Sequence, residues 1–160
     1  MGYTFTIGNA TPWHDKEDGV LSAGWRVKGV TLDDAPEFPN DDMTGKSNSR
    51  SPSYSGWSDF CKAVGIYSLF YDDHGHLHYG HPGCRLITPE DLCVVSAARA
   101  KWQAKATLPP GFAKYPEFIG GEWVHPDIDK YDPQLARVLW LEFWMSWALA
   151  NCETPAIQNT

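Results

Sequence analysis

The sequence predicts an α+β fold: a small, mostly antiparallel sheet packed against about three helices, in a single domain over residues 1–160. Three observations predict it. Short alternating runs near the N-terminus have the two-residue period of half-buried strands. Three longer segments open on serine, threonine or aspartate followed by proline, and then take up helical spacing. The composition is 42% apolar and 14% aromatic, with eight tryptophans. That is enough for one sizeable core and unlike a disordered chain.

Tyr3–Gly8 is the first expected strand, and Gly24–Thr31 the second, with Trp25, Val27 and Gly29 on one face. The HDKEDG stretch between them reads as an exposed turn. Residues 33–51 lack an apolar period and contain Pro36, Pro39 and Gly45, so they form a long polar loop, of a length that is usually functional or mobile. Ser51–Gly65 fits a helix: Ser51 caps it, Pro52 suits its first position and Gly65 ends it. Trp57, Phe60, Cys61 and Val64 then make one buried stripe. The next stretch reads as a hairpin, with strands Ile66–Tyr71 and His76–Gly80 around Asp72-Asp73-His74-Gly75.

Thr88-Pro89-Glu90-Asp91 opens a second helix that runs to Lys105. Leu108–Asp129, rich in proline, glycine and aromatics, is expected to be irregular. Asp132-Pro133 opens the last helix, over 132–152. Leu135, Val138, Leu139, Met145 and Leu149 share one of its faces, while Ala136, Trp140, Phe143, Trp144 and Trp147 cover much of the rest. A helix apolar nearly all round is central to its domain. Its length, Arg137 and Glu142 argue against a membrane span. The aromatic surplus needs cover, which points to a homo-oligomer.

The formal net charge is −7, which disfavours direct nucleic-acid binding because phosphates are repelled. A loose acidic cluster, Asp33, Asp34, Glu37, Asp41 and Asp42, is a solvated face or a contact for a basic protein. Cys61, Cys84, Cys93 and Cys152 form no CxxC pair. With no signal-peptide pattern at the N-terminus, reduced thiols in a cytoplasm are expected.

The segment with the most ligand-like chemistry is TGKSNSRSPSYSGWSDFCKAVG, residues 44–65. Lys46, Ser49, Arg50, Ser51 and Ser53 gather cations and hydroxyls at a helix start, where free N–H groups favour anions. Tyr54 and Trp57 follow within two turns and could stack on a ring. This predicts a nucleotide-like ligand; the alternative is that Ser51 only caps and Arg50 pairs with a carboxylate. A second candidate is His76, His78 and His81, a spacing that suits zinc and is similar to the HxHxDH run of metallo-β-lactamases, except that Gly80 stands where the aspartate belongs. Cys84, beside Arg85 and near His81, is the third, as a reactive thiol. No GxSxG, GxGxxG or P-loop occurs.

NSRSPSYSGWSDF, the HPGC step, Ile87-Thr88-Pro89-Glu90 and the ending Asn151-Cys152-Glu153-Thr154-Pro155-Ala156-Ile157 resemble a group of small phage and prophage proteins of unassigned function, over most of the chain. The resemblance implies a protein made in a host bacterial cytoplasm and carries over no catalytic residues. The expected function is therefore a non-enzymatic phage-encoded binding protein. It would inhibit a host defence pathway by binding a nucleotide-like signal or a host protein. The alternatives are a small metal-dependent enzyme built on the three histidines and a minor virion structural protein.

Overall fold

The computed structural model describes residues 1–12, 24–41 and 45–160. The fold is α+β, as expected: a curled antiparallel sheet against helices. Strands β1 (Phe5–Pro12), β2 (Trp25–Val27), β3 (Ser49–Arg50), β4 (Gly83–Leu86) and β7 (Pro155–Asn159) form a five-stranded sheet, and β5 (Glu117–Ile119) with β6 (Glu122–Val124) form a separate hairpin. The helices are α1 (Tyr54–Val64), α2 (Tyr67–Phe70), α3 (Pro89–Lys105) and α4 (Pro133–Asn151). Among the described residues no helix is long and apolar enough to cross a membrane.

Strand β7 lies between β1 and β4, with Ile7 opposite Ile157 and Cys84 opposite Gln158. The other edge of β1 is shared, β3 pairing at Phe5–Thr6 and β2 at Ala10–Pro12. Asn48 fills the gap between them. Its Nδ2 donates to the carbonyls of Ile7 and Lys28 at 2.8 and 2.9 Å, and its Oδ1 accepts from Val30 N–H at 2.8 Å. Its backbone donates to Val30 O and accepts from Ile7 N–H. Gly8 sits beside this plug, where a Cβ would stand 3.2 Å from Val27 and 3.3 Å from Asn48 Nδ2.

The core lies between the sheet and the helices, and α4 is at its centre. Leu135, Ala136, Val138, Trp140, Leu141, Trp144, Met145 and Ala148 are buried on it, packed toward β1, β7, α1 and α3. Helix α1 buries the stripe read from its sequence, Trp57, Phe60, Cys61 and Val64. Helix α3 starts at the expected cap: Thr88 and Asp91 form a reciprocal capping box. Arg85 on β4 adds an ion pair to Asp91 at 2.6 Å and donates to Leu69 O, so one side chain ties α2, β4 and α3 together.

Several expectations are corrected. Ser53, not Ser51, caps α1, accepting from Gly56 N–H, because Pro52 O is drawn off to Tyr3 N–H beside β1. The 66–80 hairpin is not one. Residues 67–70 make the short helix α2, since Ile66 and Phe70 point into the core at a helical, not an alternating, spacing. Its expected turn does occur: Asp72 accepts from the N–H groups of His74 and His76, and a single bridge joins Tyr71 to Leu77. The 33–51 loop ends in β3, and 108–129 contains the β5–β6 hairpin. The HDKEDG turn and Asp42 lie outside the described residues.

Two predictions follow from these contacts. Asn48→Leu leaves the buried Ile7 carbonyl without its partner and removes a bond from each of the partly buried Lys28 O and Val30 N–H; it should cost about 2–4 kcal/mol, read as a fall in the urea midpoint. Burial would raise the Asp91 carboxyl, but hydrogen bonds from Arg85 and from Thr88 N–H outweigh it and hold it below its usual range. Its stabilisation is therefore present above the ordinary carboxylate value of about 4 and is lost as pH falls through the lower folded value. Asp91→Asn should lower stability at neutral pH and flatten the acid limb of a pH–midpoint curve.

Candidate functional site

Arg50 and its neighbours are held within the fold. The Arg50 side chain is 5% exposed and the Asp41 side chain 1%, and Nη2 stands 2.6 Å from Oδ2. Nη1 donates to the carbonyls of Gly45 and Ser49, and the guanidinium lies 5.1 Å from the Trp140 ring centre. Burial lowers the Arg50 pKa and the Asp41 charge opposes that shift, the arrangement of a buried pair. Ser49 meets Thr6, Ser51 meets Thr4 across the strand, and Ser53 is spent on the helix cap. Lys46 is half-buried, and its carbonyl accepts from Leu32 N–H. Trp57 is packed on Phe5, Phe60 and Phe70.

Among the described residues, the seven predicted ones do not converge on one cleft. Arg50 and Trp57 border, with Phe112, Arg137 and Trp140, an enclosed space of about 10 Å³, room for one water at most. Tyr54 faces another way, with its OH 3.2 Å from His81 Nε2 and its ring edge-on to Tyr3.

Of the three histidines, His76 and His81 line one cleft with Tyr3, Gly75 and Leu77, and His78 is engaged elsewhere. His76 is exposed beside Asp72 at 3.6 Å, and His78 Nε2 meets Ser68 O at 2.9 Å. His81 Nδ1 stands 2.5 Å from Oδ1 of the buried Asn159, whose Nδ2 donates to Gly80 O. That bond orients Asn159 with its Oδ1 toward the ring, so His81 Nδ1–H donates to it. The strand face that would have aligned His76 and His78 does not form. Among the described residues no three histidine, cysteine or acidic side chains converge on a point that could hold a metal ion.

Cys84 lies on the outer face of the sheet, 2% exposed beside Ala10, Val27 and Ala156. Burial pushes its thiol up to about 11, against the thiolate a nucleophile needs.

The surface feature that sequence reasoning missed is the β5–β6 hairpin. Phe118 pairs across the strands with Trp123, and their rings meet edge to face at 5.3 Å. They are 63% and 67% exposed. Ile119 and Val124, on the opposite face, are exposed too. The turn is Gly120-Gly121, both at positive φ, 62° and 89°. This backbone suits glycine and matches strand twist in a two-residue hairpin. The signal was in the sequence: a Gly-Gly pair between Glu-Phe-Ile and Glu-Trp-Val.

Compared with models of known protein families, with curated proteins and with solved structures, the chain matches none. Class and site are therefore defined by the fold alone: an α+β domain with a closed polar seam and a projecting aromatic hairpin.

Thiol accessibility is directly testable. Titrated with Ellman's reagent at pH 8, the exposed Cys93 should react first, and the buried Cys61 and Cys84 only on unfolding. Cys84→Ser should leave the fast phase unchanged.

Proposed function

We propose that this protein is a non-catalytic binding protein and that the β5–β6 hairpin is its contact with a partner protein. Trp123 carries the reading. The other described tryptophans, Trp25, Trp57, Trp102, Trp140, Trp144 and Trp147, are buried or half-buried, whereas Trp123 stands out in solvent, edge to face with its cross-strand neighbour Phe118. A two-stranded hairpin bare on both faces is marginal in water. Exposed aromatics are the common anchors of protein interfaces.

The partner's chemistry is indicated by charge. The whole chain carries −7, and Glu117 and Glu122 add acid to the hairpin on the face opposite the aromatic pair. The complementary surface is an apolar pocket rimmed by lysine or arginine, and the acidic field speeds encounter with it. The resemblance to phage proteins makes a host protein the partner and interference with host defence the outcome. A nucleotide-like signal at Arg50 is the weaker reading, because Asp41, Trp140 and two carbonyls already surround that guanidinium.

The test is capture of a partner from bacterial lysate, its identification, and calorimetry with the purified pair. Phe118→Ser/Trp123→Ser should weaken binding about 100-fold or more with an unchanged melting temperature, and added salt should weaken the wild-type complex. Equal binding by the double variant would overturn the proposal. So would a concentration-dependent self-association that the double variant abolishes, since the hairpin would then be a contact between copies.

A further inference from the structure

A second site is marked by charge running against the field of the whole molecule. The chain holds 20 acidic and 13 basic side chains. Yet three lysines, Lys62, Lys101 and Lys105, line one cleft of about 240 Å³ between the C-terminal turns of α1 and α3, and no acidic side chain lines it with them. Val64, Gly65, Ala98 and Trp102 make up much of the rest. Among the described residues none of the three lysines forms an ion pair. The cations that do so among the described residues are Arg50, His76, Arg85, Arg99 and Lys130.

Two of the ammonium groups are held without being neutralised. Lys105 Nζ lies 4.2 Å from the Trp102 ring centre and Lys62 Nζ 5.1 Å from that of Tyr67. Aromatic faces attract a cation and keep its charge intact. Trp102 is fixed in turn by its Nε1 hydrogen bond to Asp132 at 2.9 Å. Lys101 and Lys105 are one turn apart on α3, a spacing at which like charges repel. Nearby Arg99 is committed to Glu142 and Gln103.

We propose that this cleft binds the phosphate end of a phosphorylated small molecule. Lysine binds phosphate as a point charge, and three around one cleft suit a group bearing two or more negative charges. The volume decides how much of the ligand enters. Pockets that enclose a whole drug-sized ligand run from about 300 to 1,000 Å³, so this cleft takes the phosphates and leaves the remainder outside. The site is separate from the hairpin and does not depend on the partner reading.

The probe is inorganic pyrophosphate, titrated by calorimetry into the full chain at fixed ionic strength. One saturable site is expected. Lys62→Gln, Lys101→Gln and Lys105→Gln should each weaken it about tenfold, and the triple variant should abolish it. Lys101→Arg should keep most of the affinity, and Lys28→Gln, a control outside the cleft, all of it. Phe118→Ser/Trp123→Ser should bind pyrophosphate as the wild type does, which separates failure of this proposal from failure of the hairpin reading. No saturation, equal loss in Lys28→Gln, or displacement by sulfate at matched ionic strength, the mark of an adventitious ion only, would overturn it.

Discussion

The sheet depends on one buried amide. Strand β1 has to accept two separate partners along one edge, and between them its Ile7 carbonyl and N–H would otherwise be left without a strand. Asn48 answers both, the carbonyl with its side chain and the N–H with its backbone, while the same side chain takes Lys28 O and Val30 N–H. Its two donors and its acceptor are all used. That completeness is what makes a fully buried asparagine tolerable, since each unmade bond in that setting would cost about 1–3 kcal/mol. It also explains why the short strands β2 and β3 can exist. Neither is long enough to define a register, and Asn48 pins both chain segments to β1.

The second constraint is the seam between the 45–50 segment and α4. Trp140 donates its Nε1–H to Ser47 O and offers its ring to Arg50. Arg50 in turn takes Asp41, Gly45 O and Ser49 O. Two charges leave water here, a cost of several kcal/mol each that attraction repays only when the remaining donors are also used. The serines and the arginine that read as a ligand grip thus have local partners in the fold. Polarity alone could not separate the two uses, because a buried ion pair and an anion site call on the same residue types.

The helices were legible because their signals are local. Thr88-Pro89 and Asp132-Pro133 cap where expected, and the α1 stripe buries as spaced. The strands were less so. β4 and β7 are four and five residues long, and what makes them strands is pairing between residues some 70 positions apart, which no local pattern encodes. Ile66–Phe70 shows the opposite failure. Its aromatic, β-branched run favours a strand by propensity, but tertiary packing of Ile66 and Phe70 imposes a helical turn. The site was the least legible part. The hairpin carries a Gly-Gly turn in plain sight, yet exposure is a property of what lies around a segment, and nothing in a strand's own sequence states that both of its faces stay bare. The lysine cleft is harder still, because Lys62 meets Lys101 and Lys105 only once α1 and α3 are assembled.

The tryptophans bring these levels together. Their surplus read as a need for cover, and most of that cover is internal: Trp57, Trp140 and Trp144 are at the centre of the core, Trp102 and Trp147 are packed along its margin, and Trp25 packs on the small cluster at the sheet's outer face. A chain of this size gains little by placing one more large ring in water. Burying it elsewhere would be worth about 1.5–3 kcal/mol or more. Trp123 and Phe118 forgo that gain on a hairpin too small to stabilise itself. The outlay makes physical sense if the rings are buried in a second step, against a surface the fold does not contain.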